Sequence, residues 1–221
     1  MMTATDRLLA AARPIWDRYN EHPFVKGLED GTLDKDKFRY YILQDYLYLE
    51  EYAKVFAIGV AKASSLEMIR LFSGYIHVLT DGEMDIHRGY MGALGITQEE
   101  LDSTPRALDN LSYTSYMLRI AYEETEAEIL AAILSCAHSY EMIAKRIIEN
   151  NPASVDHPFY GDWIKGYASD EYTKENVTLM AHLNRLTEHY TEQQVQHLID
   201  IFVISSRYEE LFWDMSWEMK K

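Results

Sequence analysis

The chain has 221 residues, enough for one domain with a sizeable core, and its 48% apolar and 26% charged residues match an ordered globular protein. Acidic side chains number 36 against 21 basic ones, a formal net charge of −15, so neither nucleic acid nor an anionic membrane surface is expected as a partner. A single cysteine excludes a disulfide within the chain and fits a reducing cytoplasm, where a lone thiol persists.

Taken in order, the elements are helical throughout, because apolar residues recur at three and four positions and no alternating run is bounded by turn signals. The first helix is expected from Thr5 to Glu21, bent or shifted at Pro14, and ending before Pro23. Its opening segment has no cationic flank followed by an apolar block, so a signal peptide is not expected. No apolar run reaches the length of a membrane span. A short connecting piece, FVKGLEDGTL, leads to a long helix beginning near Asp34. The stretch SLEMIRLFSGYIHVLTDGEMDIHRGYMGALG reads as helical and ends at Gly95, and a further helix is expected from Thr104 to Glu123. Next comes a helix from Thr125, with Glu128 at capping-box spacing, that carries the cysteine. After NNPASVDHP and FYGDWIKGYAS, a helix is expected from Asp170 to Tyr190 and a last one after Thr191. With no linker, repeat or low-complexity segment, the pattern predicts one all-α domain over residues 1–221.

Three polar groups stand where the helical pattern wants apolar ones. On the last helix Val195, Leu198, Phe202, Ser205, Glu209, Phe212 and Ser216 share one face, so Glu209 lies in an apolar stripe. On the second long helix Asp45 stands among Phe38, Tyr41, Tyr48, Tyr52 and Phe56. A buried carboxylate costs several kcal/mol unless it has a partner or a proton, and a helix-helix hydrogen bond is the commonest solution. Cys136 shares a face with Tyr140, Ile133 and Ile143; a buried thiol is most often a small hydrophobe. Glu83 and His87, four apart, read as a carboxylate-imidazole pair before they read as half of a metal site. Two inward acids and a thiol, with seventeen tyrosines in the chain, could together protonate, attack and enclose an electron-poor ring.

QDYLYL at 44–49, SCAHSYEMI at 135–143, WIKGYAS at 163–169 and YEELFWDMSW at 208–217, with HPF at 22–24, together resemble the TenA family over nearly the whole chain. This is the thiaminase II or aminopyrimidine aminohydrolase group, with a haem-oxygenase-like helical fold. The resemblance implies that Asp45 reads the aminopyrimidine edge, Glu209 faces the opposite ring nitrogen and Cys136 is the nucleophile, as in the cysteine-containing branch of the family. It also implies that Tyr48, Tyr113, Tyr140, Tyr167 and Phe212 line the substrate pocket. The implied reaction is hydrolysis of 4-amino-5-aminomethyl-2-methylpyrimidine, with thiamin as a further substrate, in a cytoplasmic homotetramer that needs no cofactor or metal. Two alternatives stay open at this point. The same fold hosts haem and di-iron proteins, for which His22 would be a haem ligand to test. Glu83 with His87 supplies one iron-binding set, and His182 with Glu188 or His189 does not make a second. The other alternative is a pyrimidine-binding or regulatory protein without turnover.

Overall fold

In a computed structural model, residues 2–220 are described, except for the side chains of residues 82, 83 and 85. Eleven α-helices are present among them and no strand: α1 Ala4–Glu21, α2 Pro23–Asp30, α3 Lys35–Lys62, α4 Leu66–His77, α5 Met84–Leu94, α6 Gln98–Ser103, α7 Leu108–Glu123, α8 Glu126–Asn150, α9 Gly161–Tyr167, α10 Asp170–Leu186 and α11 Glu192–Glu218. A π-helical segment, Val78–Glu83, joins α4 to α5, and a 3-10 turn, Pro152–Asp156, precedes α9. The chain divides into two compact units, one of residues up to Leu33 with Leu130–Trp213, the other of Asp34–Ile129 with the residues from Asp214 onwards. No described helix is long and apolar enough to cross a membrane.

In the first unit α1 is closed by a capping box between Thr3 and Asp6 and runs through Pro14 without ending there. Its inward stripe is Leu8, Ala12, Ile15, Trp16 and Tyr19, all buried. Trp16 lies edge-on to Phe202 at 5.5 Å, and its indole N–H donates to Ser206 Oγ at 3.2 Å. Small buried residues on α8, among them Ala131, Ala132, Ser135 and Ser139, allow close approach, and the Ser135 and Ser206 hydroxyls meet at 2.9 Å. The piece expected as a connector after the first helix is a helix instead. Pro23 sits at its first turn, where its missing N–H costs nothing, and the His22 imidazole accepts the Phe24 N–H at 3.1 Å. Gly31 ends α2 with φ +70°, and a Cβ there would come within 2.5 Å of the His157 ring, so both backbone and space demand glycine.

In the second unit α3 packs against α4, α5 and α7. Asp34 caps α3, its carboxylate accepting the Asp36 N–H at 2.7 Å. A Cβ on Gly59 would meet the Phe72 ring at 2.8 Å, which marks the close crossing of α3 and α4. The stretch expected as helical as far as Gly95 does end there, with φ +67°, but through the π-helical segment. Short α6 was not expected; Thr97 caps it through the Glu100 N–H at 3.1 Å. The next helix starts at Leu108 rather than Thr104, because Pro105 disfavours helix in the residue before it. Buried Gln44 fills that gap: it donates to Pro105 O at 3.0 Å and accepts from Ala107 N–H at 3.0 Å and Asn110 Nδ2 at 3.1 Å. At the chain's end Lys37 donates to Trp217 O while lying 4.2 Å from that indole's centroid, and the Tyr40 hydroxyl donates to Lys220 O.

Candidate active site

The two carboxylates picked out by the helical pattern are both buried, and so are the rings around them. Along α3, Phe38, Tyr41, Tyr48, Tyr52 and Phe56 are inside, and Asp45 among them is 3% exposed. Tyr48 stacks on Tyr52 at 5.3 Å, tilts against Tyr113 of α7 at the same distance and directs its hydroxyl to Met117 Sδ at 3.6 Å. The second unit therefore brings together three of the expected residues: Asp45, Tyr48 and Tyr113. It adds one that the sequence did not attach to them: the Nε2 of His87, itself 1% exposed, lies 2.7 Å from Asp45 Oδ2. Glu83, expected to pair with His87, has a side chain outside the described residues.

The first unit holds the other five: Cys136, Tyr140, Tyr167, Glu209 and Phe212. Cys136 is 8% exposed on α8, and Ser139 donates to its carbonyl at 3.0 Å. One turn on, Tyr140 is packed by three aromatic rings, with centroids at 4.9 Å for Tyr167, 5.3 Å for Trp213 and 5.9 Å for Trp163. Trp213 in turn leans on Phe24 at 5.5 Å, which gives the HPF segment its place beside this cluster. On α11 the stripe read from the sequence is buried from Val195 to Ser216, with Glu209 and Phe212 each 2% exposed.

Tyr19 of α1 is buried in the same unit as Cys136 and Glu209. Burial pushes its hydroxyl well above the ordinary tyrosine range, and the negative charges of Glu209, Glu210 and Cys136 push it further. The phenol is held in place by donating to the Ser206 carbonyl. The sequence reading did not single out Tyr19.

Below the thiol on α8, Glu141 gathers a second polar cluster. Its carboxylate accepts from Lys145 Nζ at 2.6 Å, Thr173 Oγ1 at 2.9 Å and Asn176 Nδ2 at 2.6 Å, with His138 Nδ1 at 3.5 Å. Asn176 also donates to Ala137 O at 3.1 Å, so α10 is tied to the backbone one residue beyond Cys136. Among the described residues no group of three His, Cys, Asp or Glu side chains lies together as metal ligands would.

A profile of the TENA/THI-4/PQQC family matches residues 9–219. The chain is 44% identical over 220 residues to a Helicobacter pylori protein named aminopyrimidine aminohydrolase, covering 98% of this chain and all of the relative. Proteins of the same name from Halalkalibacterium halodurans and Bacillus subtilis are 41% and 34% identical, each over 98% of this chain and over 96% and 90% of their own lengths. Among solved structures, a TenA homologue from P. horikoshii OT3 superposes with a TM-score of 0.88 at 30% identity, covering 98% of this chain and 99% of that one. A Shewanella denitrificans domain described as having a heme oxygenase-like fold superposes with a TM-score of 0.74 at 15% identity, over 94% of this chain and 89% of its own, a likeness of fold alone. The helical architecture is therefore that of the haem-oxygenase-like proteins, and the chain belongs to the TENA/THI-4/PQQC family.

Proposed function

We propose that this protein is an aminopyrimidine aminohydrolase, a hydrolase of the thiaminase II type that acts on a carbon-nitrogen bond in thiamin salvage. The observation that carries the reading is the 44% identity, over essentially both full lengths, to a relative of that name. Its substrate is 4-amino-5-aminomethyl-2-methylpyrimidine, and its products are the 5-hydroxymethyl pyrimidine and ammonia. Thiamin is a further substrate, losing its thiazole in place of ammonia.

In the proposed reaction Asp45 accepts a hydrogen bond from the pyrimidine amino group and Glu209 protonates a ring nitrogen. The thiolate of Cys136 adds to the ring carbon beside that nitrogen and breaks the aromaticity. The electron pair of the resulting enamine breaks the bond from the methylene to the protonated aminomethyl nitrogen, which leaves as ammonia. Water adds to the methylene, the carbon-sulfur bond breaks and the ring regains aromaticity. Tyr48, Tyr113, Tyr140, Tyr167 and Phe212 supply flat apolar walls, which suits a small planar substrate that must be fixed by few polar contacts. Burial of both carboxylates and of the thiol supports these roles. We assign the active protein to the cytoplasm as a homotetramer, with residues 1–221 forming one catalytic domain.

The test follows ammonia and hydroxymethylpyrimidine together after mixing the aminomethylpyrimidine with wild type and with Cys136→Ser. Matched release by wild type that is abolished in the variant, with substrate binding kept, is the expected result. Binding without turnover in wild type would overturn the assignment, and a much larger kcat/KM for thiamin would reverse the substrate order. Elution of the native protein at the mass of a monomer or dimer would remove the tetramer.

A further inference from the structure

We propose that His87 is the positioning residue for Asp45: it engages one carboxylate oxygen and fixes the plane of the group, so that the other oxygen selects a ligand N–H. The inference rests on the reading that Asp45 contacts the substrate's amino group.

Asp45 is 3% exposed on a helix face made of Phe38, Tyr41, Tyr48, Tyr52 and Phe56, and rings offer a carboxylate little compensation for lost water. The compensation comes from His87, whose Nε2 lies 2.7 Å from Oδ2 and which is itself 1% exposed. An ionised carboxylate only accepts, so that imidazole nitrogen carries the proton and donates. Among the described residues Oδ1 has no hydrogen-bond donor, so the pair is asymmetric: one oxygen is committed within the protein and one is left for a ligand.

That asymmetry specifies a ligand class. A planar heterocycle presenting an exocyclic amine satisfies Oδ1, whereas its oxo counterpart sets a carbonyl oxygen against a carboxylate oxygen and leaves both unpaired. Removing His87 leaves Oδ2 without its partner and the carboxylate free to turn, so Oδ1 is no longer held toward the ligand. The hydrogen bond to the exocyclic amine is then poorly aligned, and the preference for amine over carbonyl weakens. His87 is brought to this position by α5, which follows the π-helical segment Val78–Glu83; irregular turns of this kind recur at functional sites because they re-aim the residues after them.

The experiment compares wild type, His87→Leu, His87→Gln, Asp45→Asn and the double variant His87→Leu/Asp45→Asn, with folding checked by circular dichroism and melting. KM and kcat are measured with the aminomethylpyrimidine. Dissociation constants are measured for hydroxymethylpyrimidine and its 4-oxo analogue. His87→Leu is expected to raise KM about 10- to 100-fold with a smaller fall in kcat, and to reduce the amino-over-oxo binding ratio by a similar factor. His87→Gln, which restores a donor, recovers much of both, and the double variant is no worse than Asp45→Asn alone. A folded His87→Leu with an unchanged binding ratio, or losses that multiply in the double variant, would overturn the proposal. If His87→Leu does not fold, His87→Gln decides: a binding ratio as low as that of Asp45→Asn counts against the proposal, and a ratio near wild type supports it. Turnover failure in wild type with the amino preference intact would sink the assigned activity while leaving this inference standing.

Discussion

Replacing Glu141 by glutamine changes one atom and should unsettle the helix that carries the thiol. The carboxylate accepts from Lys145, Thr173 and Asn176 at 2.6 to 2.9 Å, with His138 close by. If the amide oxygen of the glutamine faces Asn176, its NH2 group faces Lys145 and Thr173. The threonine hydroxyl can turn to accept, and the half-exposed lysine can turn to water, so that ion pair is worth no more than about 1 kcal/mol. Asn176 is 1% exposed and has no such escape; its charge-assisted bond becomes a neutral one, costing about 1–2 kcal/mol. The total, about 1–3 kcal/mol, corresponds to a melting temperature lower by roughly 2–12 °C for a chain of this size. Burial acts to raise the carboxyl's pKa, but His138 beside it and hydrogen bonds from Lys145, Asn176 and Thr173 outweigh it and hold the group well below the usual carboxylate range. Because the folded pKa is the depressed one, the stabilisation is complete above the unfolded value of about 4.3 and fades as the pH falls toward the folded one. Calorimetry of both proteins at pH 7 and at successively lower pH down to about 3 measures this. Melting within 1 °C of wild type at pH 7, or a difference that does not shrink with acid, would refute the reasoning.

Gln44→Leu should lower stability by about 2–3 kcal/mol in urea unfolding, because Ala107 N–H and Asn110 Nδ2 lose a buried acceptor and Pro105 O loses its donor. Gly31→Ala should cost at least about 1–2 kcal/mol, from the left-handed backbone alone, with the approach to His157 adding to it; a loss below 0.5 kcal/mol would show that the turn relaxes. Tyr19→Phe should cost about 1 kcal/mol for the bond to Ser206 O, read from the same urea transitions.

Much of this fold could be read from the sequence where a long helix buries one face. The stripes of α3 and α11 are inside from end to end, and the misplacement of Asp45 and Glu209 in them was visible before any coordinates. Short helices escaped that reading, since eight residues in α2 and six in α6 offer too few turns for a period to emerge. At Pro23 the signal pointed the wrong way: a proline that bars helix in the residue before it is also well suited to begin the next one. Partners distant in sequence were hidden for a different reason. Spacing joins His87 to Glu83 because four residues make one turn, whereas contact with Asp45, 42 residues away, depends on how α3 and α5 pack. Tyr19 was hidden in the same way, since the carbonyl it donates to, on Ser206, lies 187 residues away.

The π-helical segment fits about one residue more into the link between α4 and α5 than a regular α-helical course would hold. Its wider turn advances the chain by less per residue than the roughly 100° of an α-helix, and over Val78–Glu83 the shortfall adds up to about one residue. Deleting a single residue inside the segment would therefore let it regularise while α5 keeps close to its present phase and His87 still faces Asp45. The turn between the segment and His87 has no such slack. Losing a residue there would rotate His87 by about 100° and bring the exposed Arg88 into its place, silencing the carboxylate while hardly changing the helix content.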